Sequence, residues 1–252
     1  MKLKGLLLDA GAITPGRRNE MFRLLRRCFA NVTREAFTRD LSEKRWVILL
    51  LNPDTDELCG FSTQMLITLP VDGAPTTVLF SGDTIVAPEH WGDAALAHVF
   101  GNLALELIAQ HPPDRLFWFL ISKGYKTYRF LPVFFREFYP RHDTIMPERM
   151  GRLLDAFGRH KFPQTYDPAQ RIVRADGAKD HLRAGVADLT QARLRDPHIA
   201  FFAQANPRHA AGEELCCIAP LTRANLTTAA YRVILGTKEL ASLHTTRGGA
   251  ER

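Results

Sequence analysis

Asp83 is a single carboxylate in a run of strand formers: Val78, Leu79, Phe80, Ile85 and Val86. Burying a lone carboxylate is costly, so such a residue needs a partner or a task. Perturbed carboxylates concentrate where protons are moved. The plainer alternative is an Asp at a strand edge or bulge beside Gly82, bonded to backbone. A second cluster, Ser122-Lys123-Gly124 with Lys126 and Arg129, follows another apolar run. Ligands gather at the carboxyl ends of parallel strands, and cations there suit phosphate oxygens. A solvated helix start explains the same residues equally well.

Other constellations carry less. His98, Asn102 and Glu106 share a helix face, but a metal site needs further ligands converging from elsewhere, so a solvent-facing stripe is the better account. Cys216 and Cys217 are adjacent and would point to opposite faces of a strand. A Cys–His hydrolase pairing with His209 has no local signature, and buried cysteine is expected. Asp9 follows Leu6-Leu7-Leu8, but position 11 is Gly, which removes the second aspartate that aspartyl-phosphate chemistry needs. With only four cysteines and no CxxC pair, we expect free thiols, no structural metal and a cytoplasmic location.

Composition narrows the classes. Lys and Arg number 33 against 27 Asp and Glu, a net +6, without any block of five or six basic residues. That argues against a dedicated nucleic-acid binder. No apolar run reaches the roughly 20 residues of a membrane span, and Leu6–Leu8 is too short for a signal-peptide core.

The elements that must place these residues follow from periodicity. Met21, Phe22, Leu24, Leu25, Cys28 and Phe29 predict a helix over 19–30. Thr33 caps a second over 33–44. Strands are expected at 46–51, 58–69 and 77–87, joined by Asn52-Pro53-Asp54 and Asp72-Gly73 turns. A helix over 91–110 then leads to a strand at 115–122, a crossover that makes the last two strands parallel. Tyr125, Tyr128, Phe130, Phe134, Phe135, Phe138 and Tyr139 read as aromatic core, divided at Pro132. Residues 141–197 read as polar and helical. A hairpin of strands 199–205 and 215–219 follows, then a helix over 222–235 and a disordered tail.

This order, with Asp83-Thr84-Ile85-Val86-Ala87-Pro88-Glu89-His90-Trp91-Gly92-Asp93-Ala94-Ala95-Leu96, resembles the GNAT superfamily of N-acyltransferases over roughly residues 19–140. In the family a strand ends in Val-x-Pro-Glu, and an Arg- or Gln-containing, Gly-rich turn opens the long helix. The resemblance implies an α/β (α+β) fold, with a mixed, mostly antiparallel sheet, a central splayed parallel strand pair and helices on both faces. One domain spans 1–240, with a helical insertion at about 141–197 and a tail at 241–252.

The resemblance also implies acyl transfer from a pantetheine thioester, acyl-CoA or acyl carrier protein, to a small-molecule amine, without a metal. Asp83 would be the general base and Tyr128 the acid for the leaving thiolate. Backbone at Ile85 and Val86 would polarise the thioester. Trp91, Gly92, Asp93, Ala94, Ser122 and Lys123 would surround the donor. Trp91 stands where Arg or Gln is expected, and Ala94 and Leu96 where the smallest residues are. Weak coenzyme A binding is therefore expected. The alternative is a catalytically silent domain of this fold that binds a ligand or carrier protein.

Overall fold

The computed structural model describes residues 2–175 and 179–236; the expected tail at 241–252 lies outside them. Eight strands form one sheet in the order β1-β3-β4-β5-β6-β10-β8-β7. They are β1 (Lys4–Asp9), β3 (Trp46–Leu51), β4 (Leu58–Val71), β5 (Ala74–Val86), β6 (Leu116–Ser122), β7 (Tyr166–Asp167), β8 (Ile172–Val173) and β10 (Glu214–Pro220). A small second sheet pairs β2 (Phe29–Ala30) with β9 (His181–Leu182).

All contacts in the large sheet are antiparallel except β5 with β6, which are parallel. The crossover helix α3 (Ala95–Gln110) joins them, as its length requires. This mixed sheet with one central parallel pair is the fold the resemblance implied.

Helices cover both faces. On one, α1 (Pro15–Cys28), α2 (Arg34–Ser42) and α6 (Glu148–Lys161) bury Met21, Phe22, Phe37, Leu153 and Phe157. On the other lie α3, the short α4 (Tyr125–Tyr128) and α5 (Phe130–Phe134), α7 (Pro197–Ala205), and α8, the helical residues 228–236. The caps are local chemistry. Thr33 Oγ1 accepts Ala36 N–H at 3.1 Å, as expected, and Thr14 Oγ1 accepts Arg17 N–H at 3.3 Å. Thr14-Pro15 therefore starts α1 four residues before the apolar periodicity does.

Two expectations are corrected, and one strand is unanticipated. Residues 4–9 are a strand, an edge strand paired in register with β3. Residues 199–205 belong to helix α7, not to a hairpin strand. Asp196 Oδ1 accepts His198 N–H at 2.9 Å with Pro197 in the first turn, and Ile199 and Phe202, three apart, turn to the core. Among the described residues of 141–196 only α6 is an α-helix; β7 and β8 extend the sheet beyond β10 instead. The expected strand at 215–219 is present as β10, inserted between β6 and β8.

Candidate active site

The parallel pair supplies the opening. Its register runs from Thr77↔Leu116 to Ser81↔Leu120 and then stops. Beyond Ser81, β5 stays paired with β4 alone, through Thr84↔Ser62, Ile85↔Phe61 and Val86↔Gly60, after a register shift opposite Ser62–Gln64. Gly82 and Asp83 are the two residues of that bulge, which turns the strand away from β6. A side chain at Gly82 would strike Thr63 Oγ1 and the Lys44 stem, so only glycine fits. Ala87 N–H bonds to Cys59 O at 2.8 Å. By antiparallel alternation Val86, not Ile85, then directs its N–H and carbonyl into the gap. The Val86 carbonyl is taken by Trp91 Nε1–H at 2.9 Å.

Two cavities meet at this gap. The first, about 520 Å³, is lined by Ile85, Val86, Trp91, Gly92, Asp93, Ala94 and Lys123, among others. Seven of the eight residues expected around the donor thus share one groove. The eighth, Ser122, is fully buried behind it and does not line it. The second cavity, about 640 Å³, lies on the opposite face of the sheet and is lined by charged side chains including Asp83, Asp40, Glu43, Asp180, Lys161 and Lys179. Lys123 lines both cavities.

Electrostatics distinguish the groups. Lys123 contacts Asp180, and Glu214 at 3.7 Å. Burial opposes its charge, but Glu214 and Asp180, aided by Asp83, hold its ammonium above the usual range. Asp83 receives no hydrogen bond from a side chain among the described residues. Burial, then the nearby Asp40 carboxylate, pushes its pKa up to about 7 against the pull of Lys123. The folded chain therefore keeps this proton well above pH 4, where an unfolded carboxylate loses it. Between those values the folded state binds more protons, so stability falls as pH rises. Asp83→Asn should raise Tm at pH 8, by about 2–4 °C per kcal/mol recovered, and the gain should shrink toward pH 4. Equal gains at both pH values in calorimetry would contradict this.

Tyr128 is not at the site. It is 0% exposed, packs against Phe138, Phe201 and Phe202, and donates its hydroxyl to Pro140 O at 2.9 Å. Burial raises its pKa far above the usual phenol range. The aromatic-core reading of this segment is the correct one, and the acid role falls. Lys126, expected only as part of a phosphate-facing cluster, instead lines the first cavity with its ammonium over the Trp91 ring. Its Nζ is buried without a hydrogen-bond partner among the described residues. Burial, then Arg193, lowers its pKa to about 8. The i, i+3 spacing from Lys123 hinted at a shared face, but its neighbour across the groove is a tertiary fact.

The start of α3 already holds an anion. Asp93 accepts Ala95 N–H at 2.7 Å and Leu3 N–H at 3.0 Å, while Glu89 pairs with Arg27 at 3.1 Å. Gly92 turns the chain there at φ 100°. His98, Asn102 and Glu106 are all exposed, as the solvent-facing reading has it, and His98 also bonds to Val233 O on α8 at 3.0 Å. All four cysteines are free and buried. No helix among the described residues is long and apolar enough to cross a membrane.

No family model and no curated protein matches the chain. Solved structures do. N-myristoyltransferase of Saccharomyces cerevisiae with bound myristoyl-CoA is 15% identical, with a TM-score of 0.38 over 47% of this chain and 31% of that one. The GNAT family N-acetyltransferase YhbS of Escherichia coli in complex with CoA is 13% identical, with a TM-score of 0.37 over 52% and 69%. A probable N-acyltransferase of Enterococcus faecalis is 12% identical, with a TM-score of 0.41 over 85% and 65%. The chain spans about a third of the yeast enzyme's length.

Proposed function

We propose that this protein transfers an acyl group from a pantetheine thioester to an amine. The observation that carries this reading is the meeting of two cavities where β5 and β6 part. One is largely apolar and passes the free Val86 N–H; the other is charged and contains Asp83. An alkylammonium entering the charged cavity gives a proton to Asp83, because only the neutral amine has a lone pair for attack. Its nitrogen then bonds to the thioester carbon. The oxygen takes up negative charge and receives the Val86 N–H, a donor already aimed before the reaction. Collapse breaks the C–S bond, and the thiolate takes a proton from Lys126, which replaces Tyr128 in this role; the nitrogen gives its second proton to water as the amide forms, and Lys126 is reprotonated from solvent.

The donor's phosphates have no vacant helix start, because Asp93 occupies that of α3 and its charge opposes another anion. Exposed Arg26, Arg183 and Arg193 lie around the α1, β2–β9 and α4 side of the groove. They favour a donor presented on an acidic carrier protein over free coenzyme A. A ligand at ~100 times its dissociation constant stabilises by about 2.7 kcal/mol, or about 5–10 °C for this chain length. Millimolar coenzyme A should shift Tm by much less, and a full shift at micromolar coenzyme A would overturn the carrier preference. The function itself is tested by thiol release from pantetheine thioesters across a panel of amines. Binding without release with every amine would identify a catalytically silent domain instead.

A further inference from the structure

A third cavity opens off the donor groove on the α3 face. It measures about 50 Å³ and is walled by Ala97, Ala104, Trp118, Leu120, Phe130 and Phe134, with α8 closing it through Ile234. Thr84, Leu96, Ala97, Thr127, Phe130 and Phe134 line both it and the groove, so the two adjoin there, two residues from Val86.

The floor of this cavity is polar by composition but not by offer. Trp118 Nε1–H donates to Ser81 Oγ at 2.9 Å, and Ser81 to Gln64 Oε1 at 2.7 Å. Gln64 Nε2 donates to Ser62 Oγ at 2.8 Å, and Ser62 lies 2.7 Å from Thr84 Oγ1, which in turn donates to Gly82 O at 3.3 Å. Each hydroxyl proton in the chain is used once, in one direction, which leaves little for water to bind. A void whose walls are apolar and whose polar groups are satisfied stays dry and accepts hydrocarbon.

We infer that this cavity receives the tail of the donor's acyl group, and that the donor is a thioester of a linear hydrocarbon acid longer than acetate. The inference rests on the acyl-transfer reading for the position of the thioester. A water needs about 10–15 Å³ on the same measure, so 50 Å³ admits about three to five methylene-sized units. Ala97 sets the width of the entrance and Ala104 the depth, since each offers only a methyl group where its α3 neighbour Phe100 offers a ring.

The test uses S-acyl pantetheine from acetyl to dodecanoyl as donors, and the matching S-alkyl thioethers as unreactive ligands. Rate (kcat/KM) and thermal shift should both rise with chain length to about hexanoyl, by about fourfold per carbon, the equivalent of ~0.8 kcal/mol per buried methylene, and then level off. Ala104→Phe should abolish the chain-length dependence while leaving acetyl transfer intact, because Ala104 lines the cavity and not the donor groove; Ala104→Leu, a smaller change, should shorten the optimum by one or two carbons. Acetyl as the best donor, with thioether binding indifferent to length, would overturn the inference and leave acyl transfer standing. Thioether binding that grows with length, without turnover of any thioester, would keep the cavity's assignment and remove acyl transfer. No binding by any thioether would remove the assignment outright.

Discussion

Asp83→Asn lowers kcat/KM for amine acylation by about 10²–10⁴ without loss of fold. Asn keeps the shape of the bulge residue but cannot take a proton, and among the described residues Asp83 receives no side-chain hydrogen bond whose loss would loosen the strand. The pH profile is the sharper readout. Asp83 must be ionised and its proton leaves at about pH 7, while Lys126 must be protonated and loses its proton at about pH 8. Their opposed requirements give a narrow bell in kcat/KM with its maximum between those values. Asp83→Asn should remove the rising limb, and Lys126→Met the falling one. Full activity of the Asn variant with its true substrates would remove Asp83 from the mechanism. An unchanged falling limb in the Met variant would do the same for Lys126.

A fragment ending at Pro197 does not fold. It lacks β10, which lies inside the sheet rather than at its edge, paired with β6 from Leu215↔Ser122 to Pro220↔Phe117. Cys216 and Ile218 face the core under α6, while Leu215, Cys217 and Ala219 face the core under α3, so both layers lose their centre. Ile199, Phe202, Leu215, Ile218, Leu221, Leu226 and Ile234, all buried, go with it. At about 1.5–3 kcal/mol each the loss, about 10–20 kcal/mol, matches or exceeds the 5–15 kcal/mol that holds a typical domain together. Circular dichroism of the fragment should show no cooperative melting. A soluble, cooperatively melting fragment would establish the C-terminal part as a separate unit. Phe202→Ala in the full chain, a loss of about 3–5 kcal/mol, is the graded version of the same test.

The part of the molecule written into short stretches of sequence was legible without a structure. Thr33 caps its helix because a hydroxyl three residues before a free N–H can reach it. The β5–α3–β6 crossover follows from a helix of that length between two apolar runs, since a hairpin cannot join parallel strands. The isolation of Asp83 among strand formers marked it before its surroundings were known. Where local signals conflict, the helix cap decides. Residues 197–205 carry strand-like residues, yet Asp196-Pro197 is helix-start chemistry, and the cap prevailed because it also turns Ile199 and Phe202 to one side. Lys4–Asp9 is a strand with charges at both ends, and its partner β3 supplies the pairing that its own residues do not announce.

The site depended on what the chain brings together from far apart. Tyr128 and Lys126 sit two residues apart on one short helix, so their sequence positions rank them equally. α7 covers Tyr128 and buries its hydroxyl on Pro140, whereas Trp91, 35 positions before Lys126, takes the ammonium onto its ring in the groove wall. The opening between β5 and β6 is decided in the same way. Gly82 permits the bulge, but the gap exists because β4 keeps pairing with β5 while β10 pairs with β6. Side-chain periodicity and capping act over one or two turns and can be read from residue order. Burial, the pKa values of Asp83 and Lys126, and the joining of cavities depend on which distant elements cover each group, and only the packed sheet and its helices set those.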